Sequence, residues 1–315
     1  MQQSTPGTPV FHCLPQFGQT HVGSFKHTVQ PSRLLSSPSP CALHLSQHQG
    51  LFQGVFTSHD VAKVLEPQLQ DLPVSTHWMS EVLALIRSHG DPSWVQNALV
   101  WDRAPWIEAA DGLKEALKYP PPRLLSTHLP FQVLPPLQSQ GKRGTVVYTM
   151  CNPRDEMVSG YHFFQGFKDL KDSGTMEMYL ERFLSGEVLF GSWFDHVKGW
   201  MEMKDRANIF FITYEELQQD LPGSVQRICC FLGKELNSQQ IESVVENASF
   251  HKMKDNKMSN FSLIPDDIFD HTKGKLPRKG ISGDWKNRLT VAQREYFDRV
   301  YQENMRGVNM TFPWD

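Results

Sequence analysis

The sequence predicts an α/β fold, a single domain with a central parallel sheet flanked by helices, and three observations carry that expectation. Two short runs, Gly144-Thr145-Val146-Val147-Tyr148-Thr149 and Asn208-Ile209-Phe210-Phe211-Ile212-Thr213, are continuously apolar or β-branched, as strands buried on both faces tend to be. Stretches with helical spacing of apolar residues lie between and after them, at about 156–166, 175–185, 188–203, 222–233, 238–247 and 291–304. Alternation of strands and helices is what a parallel sheet covered on both sides requires. A chain of 315 residues can bury a sizeable core, and no internal repeat divides it.

The elements follow in order. Residues 1–59 contain no Asp or Glu, only Lys26 and Arg33 as strong bases, and many Ser, Pro, Gln and His. Such a stretch cannot bury enough apolar area to offset its ordering entropy, so it is expected to be a disordered or irregular tail. A transit peptide would share the lack of acids but would carry more Arg. The domain is expected to span 60–315. Trp78, Val82, Leu83, Leu85 and Ile86 lie at helical spacing, and Gly90 offers a stop. A third candidate strand, Arg123-Leu124-Leu125-Ser126-Thr127, leads into His128.

Composition narrows the function classes. Thirty-one Lys and Arg against 34 Asp and Glu leave a net charge of −3, which does not favour wholesale nucleic-acid binding, so any anion site is local. The five cysteines, Cys13, Cys41, Cys151, Cys229 and Cys230, are odd in number and lack a CxxC spacing. A disulfide framework or a zinc site is not expected, and a reducing compartment such as the cytosol fits better. No apolar run is long enough to cross a bilayer, and no secretory signal opens the chain.

The most informative string is Arg278-Lys279-Gly280-Ile281-Ser282-Gly283-Asp284-Trp285-Lys286. Glycines let a backbone approach a ligand closely and turn its N–H groups toward anionic oxygens. Adjacent Arg and Lys supply a fork of donors and a point charge, a pairing suited to a phosphate. In full, the string resembles the RKGxxGDWK signature of the cytosolic sulfotransferases, which use 3′-phosphoadenosine-5′-phosphosulfate (PAPS). The resemblance covers about 76–315. It implies the P-loop-like sulfotransferase fold and transfer of a sulfuryl group to a hydroxyl or amine of a small apolar acceptor.

Other strings extend the likeness. His128 stands in a His-Leu-Pro context at a strand end, where the family has its catalytic base; in that role it would take the acceptor's proton. Cys151-Asn152-Pro153-Arg154-Asp155-Glu156-Met157-Val158-Ser159 resembles a segment whose Arg and Ser hold the 3′-phosphate. Ser159 carries over, whereas Cys151 replaces the arginine. A small thiol cannot pair bidentately with phosphate, which implies donor binding weaker by about 1–3 kcal/mol. Trp78, Tyr214 and Phe250 match the family's adenine neighbours in order, with Ala248 where a hydroxyl is expected. Thr76, His77 and Trp78 match the end of the phosphosulfate loop. Upstream, Pro73 stands at the lysine and Ser75 at the glycine, and residues 60–72 lack the apolar run of a preceding strand.

Losing a positioned cation of this kind costs about 100- to 1,000-fold in rate. An alternative reading therefore stands beside the enzyme: a catalytically impaired relative acting as a dimerising or ligand-binding protein. A nucleotide kinase is disfavoured because no GxxxxGK[ST] string occurs. Trp101…Trp106, Tyr161, Phe163 and Phe164 suggest an aromatic cleft for an alcohol, phenol, steroid or amine, leaning to the alcohol and steroid branch. Lys286, Thr290, Val291 and Glu295 fit the family's KxxxTVxxxE homodimer motif. No metal is expected.

Overall fold

In the computed structural model, the described residues are 74–107, 112–119, 122–133, 144–168, 174–206, 208–273 and 279–315. The expected tail, the domain boundary near residue 60, Pro73 and Arg278 lie outside them.

The first described helix, α1 (Val74–Arg87), ends where Gly90, at φ +82°, lets its N–H reach back to Leu85 O at 2.9 Å. Short helices α2 (Ser93–Asn97), α3 (Val100–Arg103) and α4 (Gly112–Lys118) follow, then a 3₁₀ turn at Phe131–Val133. Strand β1 (Val146–Met150) leads into α5 (Pro153–Phe164), α6 (Met176–Ser185) and α7 (Trp193–Met201). Strand β2 (Ile209–Thr213) leads into α8 (Tyr214–Gln219), α9 (Leu221–Leu232), α10 (Ser238–Asn247) and α11 (Phe250–Asp255). A 3₁₀ turn at Asp284–Asn287 precedes α12 (Val291–Met305).

Local chemistry accounts for the boundaries. Asn152 caps α5 by accepting from Arg154 N, Pro153 opens it, and Asp155 and Glu156 sit in its positive first turn. The helix expected at 188–203 begins only at Trp193. Phe190 and Gly191 both have positive φ, at +62° and +78°, and Ser192 supplies the cap. Thr213 ends β2 and caps α8 in one step, forming a capping box with Glu216.

Among the described residues the sheet has two strands, β1 and β2, paired in parallel with Val146 opposite Ile209 and Met150 opposite Thr213. The third expected strand has bridge residues at Leu124 and Ser126, and among the described residues Ser126 pairs in parallel with Trp106, held by Ser126 N to Pro105 O and Ile107 N to Ser126 O. The sheet lies between two helical layers, and strand alternation assigns its faces. Val147 and Ile212 pack with α1, α9 and α10, while Val146, Tyr148, Met150 and Ile209 pack with Val197 and Trp200 of α7. A third cluster joins α5, α6 and α12 through Met157, Leu180, Phe183 and Phe297. A buried ion pair, Arg103 Nη2 to Glu81 Oε2 at 2.7 Å, ties α3 to α1, with Ser259 bonding both partners. Because β1 and β2 end in register, Cys151–Asn152 and Tyr214 emerge side by side at their carboxyl ends, where ligands gather on parallel sheets.

Candidate active site

A cavity of about 190 Å³ opens beside these strand ends. His128 lines it and is 9% exposed, its ring stacked on Phe190 (centroids 4.9 Å apart) and met edge-on by Trp106 at 4.8 Å. Phe190 holds that contact from a left-handed backbone, a conformation that costs a bulky side chain about 1–2 kcal/mol. The remaining walls are mostly apolar, with Met79, Leu83, Phe164, Phe183 and Trp193 among them. Of the aromatic residues expected around the acceptor, Phe164 and Trp106 reach this region. Phe163 is 2% exposed in packing against Phe164 and Phe167, Tyr161 turns its hydroxyl toward Gly174 O, and Trp101 tilts onto Phe261.

Sequence reading missed what supports His128. His196, on α7, donates from Nε2 to the carbonyl oxygen of His128 at 3.1 Å. A carbonyl can only accept, so in the neutral ring Nδ1 is bare and accepts from the Tyr148 hydroxyl at 2.9 Å. Burial, aided by the charge of Glu156, pushes the Tyr148 phenol far above its usual range, which keeps its proton in that bond. Only the spacing of a Tyr on β1 and a His on α7 could have hinted at this chain, and neither residue marks the other.

His77, grouped by sequence with the anion-binding residues, faces the aromatic side instead. Its ring packs edge-on against Phe261 at 4.3 Å and lies 6.3 Å from Trp106. Its Nε2 meets no hydrogen-bond partner among the described residues. Burial, with the charges of His128 and Arg103, lowers its pKa to about 3, so the ring is neutral. Thr76 falls in the first turn of α1.

A second cluster forms where α1, α8, α11 and the glycine-rich run converge. Trp78 donates from Nε1 to Ala248 O at 2.7 Å and meets the Tyr214 ring edge-on at 5.1 Å. Gly280 has φ +67°, and a Cβ built on it would lie 2.1 Å from Phe250 Cδ2. Only glycine allows that approach. Lys279 pairs with the buried Asp284 at 2.7 Å while remaining 39% exposed. Structure thus brings Trp78, Tyr214, Phe250, Lys279 and Gly280 to one place from four separate stretches of chain. Ser159 is half-buried on α5.

A family model, described as a sulfotransferase domain, matches residues 76–309. Mouse sulfotransferase 2B1 is 51% identical over 240 residues, covering 76% of this chain and 70% of its own. The chain belongs to the sulfotransferase family. A guinea-pig 3-beta-hydroxysteroid sulfotransferase is 43% identical over 242 residues, covering 76% of this chain and 83% of its own. The chain spans 65–70% of the length of the mouse, human and rat 2B1 proteins. Among solved structures, mouse sulfotransferase SULT7A1 complexed with PAP superposes with a TM-score of 0.58 at 32% identity, covering 74% of this chain and 81% of that one. Sulfotransferases catalyse sulfuryl transfer, and this chain has the fold that does so.

Cys151, where the sequence resemblance implies an arginine, follows directly on β1. The thiol donates to Glu156 Oε2 at 2.7 Å, and both side chains line the cavity that holds His128. Burial pushes the Cys151 thiol well above its ordinary range, reinforced by Glu156 and Glu215, so it stays protonated. Burial also raises the Glu156 carboxyl, while its bond to Cys151 and the nearby His128 pull it down. The neighbouring Arg154 turns away toward α12. Its Nη2 bonds Asp298 Oδ1 at 2.5 Å, and its guanidinium stands 5.1–5.4 Å from the ring centres of Trp285, Phe297 and Tyr301. Among the described residues no group of three or more metal-ligating side chains converges, and no helix is long and apolar enough to cross a membrane.

Proposed function

We propose that this sulfotransferase moves a sulfuryl group from PAPS to the hydroxyl of a small apolar acceptor, a hydroxysteroid before a phenol or an amine. The observation that carries the reading is the placement of His128 on the wall of an apolar cavity beside the strand ends. The nucleotide-side rings and Lys279 form a separate cluster.

The nucleotide side fits an adenine bisphosphate. Trp78, Tyr214 and Phe250 offer flat faces, the Gly280 backbone is stripped for close approach, and Lys279 supplies a cation. Ser159 would reach the 3′-phosphate, with less help than its relatives have because Cys151 bonds Glu156. Bound, the donor supplies the sulfuryl group and a phosphate leaving group. His128 accepts the acceptor's proton as its oxygen becomes the nucleophile. Tyr148 and His196 hold the His128 backbone in place, and Phe190 and Trp106 set its ring. An acceptor bound against Met79, Leu83, Phe164 and Phe183 would be apolar, in keeping with the hydroxysteroid named for the guinea-pig relative.

The same reading includes a homodimer in the cytosol. Lys286, Thr290, Val291 and Glu295 are all exposed, and Val291 is 66% exposed at the start of α12. An isologous contact about a two-fold axis would cover them.

The test is transfer of radiolabelled sulfate from PAPS to hydroxysteroids, phenols and amines. His128→Ala should abolish transfer while binding of adenosine 3′,5′-bisphosphate stays within about twofold, because the histidine acts on a proton rather than on the nucleotide. Substantial transfer by the alanine variant would remove His128 from the reaction. Nucleotide binding without transfer to any acceptor by the unmodified chain would favour the ligand-binding alternative.

A further inference from the structure

The six residues Gly280–Trp285 are strung between the two helices that leave the sheet. Gln218, on α8, donates from Nε2 to Gly280 O at 2.6 Å. Its Oε1 accepts from Ser282 N at 3.0 Å and from Ser282 Oγ at 2.6 Å. One carboxamide therefore takes the carbonyl before Ile281 and the amide after it, leaving Ile281 53% exposed. Asp155, in the first turn of α5, repeats the arrangement further along. Its Oδ2 accepts from Gly283 N at 2.6 Å and its Oδ1 from Trp285 N at 3.0 Å.

Each side chain spans residue i to residue i+2, and the two spans abut. Their helices start beside each other because Met150 and Thr213 are opposite each other in the parallel register. Without these bonds a run with glycines at φ +67° and +83° would sample many conformations. A ligand would then have to order it on arrival. The ion pair from Lys279 to Asp284 closes the run on itself without fixing it to the sheet.

We propose that Asp155 and Gln218 are positioning residues, a pair of clamps that hold Gly280–Trp285 in its binding shape before the donor nucleotide arrives. Neither is expected to touch the nucleotide. The clamps key the loop to both strand ends, so Lys279 and Gly280 keep a set distance from the Tyr214 ring and from the start of α5. The proposal deepens the nucleotide reading of this loop and rests on it.

Two measurements on the full chain test it, with Gln218→Met, which keeps bulk and removes all three bonds, and Asp155→Asn, which keeps one acceptor. The first is hydrogen exchange in the ligand-free protein. Amides of Ser282, Gly283 and Trp285 should be protected in the unmodified chain; that of Ser282 should exchange at least about tenfold faster in Gln218→Met and those of Gly283 and Trp285 in Asp155→Asn, with protection elsewhere unchanged. The second is calorimetric binding of adenosine 3′,5′-bisphosphate, which should weaken about tenfold in each variant while the melting temperature moves by less than about 5 °C. A merely structural role would instead lower the melting temperature and loosen amides across α5 or α8. Unprotected Gly283 and Trp285 amides in the unmodified chain would overturn the clamps themselves. So would unchanged nucleotide affinity in variants whose loop has loosened. If exchange behaves as expected but the unmodified chain binds no bisphosphate, the nucleotide reading falls and takes the proposal with it. Should Asp155→Asn fail to fold, Gln218→Met decides alone, since Gln218 is half-buried near the end of a six-residue helix anchored by Leu217.

Discussion

Gly280→Ala is the sharpest perturbation the nucleotide cluster allows. The added Cβ would lie 2.1 Å from Phe250 Cδ2, 2.5 Å from Cε2 and 2.6 Å from Cγ. Ordinary contact begins near 3.4 Å, so ring or loop must give by roughly 1.3 Å. Phe250 is the first residue of α11 and its ring can swing, but only by leaving the Gly280 backbone. At φ +67° the alanine also carries a left-handed penalty of about 1–2 kcal/mol. Losing a purine stack on the displaced ring would remove a further ~0.5–1.5 kcal/mol of binding. The strain should lower stability by about 1–3 kcal/mol in urea unfolding, and loss of the stack should weaken adenosine 3′,5′-bisphosphate by about two- to tenfold in calorimetry. Phe250→Ala in the same chain removes the clash and, with the ring, the stack. The double variant should therefore regain all but about 1–2 kcal/mol of stability and still bind poorly. Full nucleotide affinity in Gly280→Ala would refute the assignment of Phe250 and Gly280 to the purine.

Three further outcomes follow from other parts of the molecule. His77 titrates near 6.5 when unfolded and at about 3 when folded, so its contribution is fully present above about pH 6.5 and is lost as pH falls toward 3. Its loss should amount to about 2 kcal/mol at pH 5 and roughly 4–5 kcal/mol near pH 3, and urea melts of His77→Leu should show a correspondingly flatter acid limb than the parent. Cys151→Arg alone should gain little nucleotide affinity, because the new guanidinium would pair with the Glu156 carboxyl that now accepts from the thiol. Adding Glu156→Gln should release it and tighten adenosine 3′,5′-bisphosphate by about ten- to a hundredfold, and equal affinities for the single and double variants would contradict that account. Val291→Glu, which alters an exposed side chain, should convert dimers to monomers in analytical ultracentrifugation; a monomeric parent at micromolar concentration would remove the dimer from the proposal.

Much of the architecture was legible in the chain itself, because its signals are local. Continuous apolar runs marked β1 and β2, and Gly90 marked where α1 stops, whereas the short helix α8 that Thr213 caps was not read. The glycine-rich run and the His128 context were readable for the same reason: a motif is a set of near neighbours along the backbone. The run at 123–127 shows that strand character is only half of a strand. The other half is a partner edge, and among the described residues that edge is Trp106, met at Ser126.

What only the tertiary structure decided are the pairings between distant positions. Nothing in the chain announces that Arg154 goes to Asp298, 144 residues away. Nor does it announce that His196 grips the backbone of His128 across 68 residues, or that Gln218 and Asp155 divide one loop between them. Each of these contacts depends on where two helices come to rest against the same pair of strands. Residue type determines what a side chain can donate or accept, but its partner is set by packing that brings remote segments within about 3 Å.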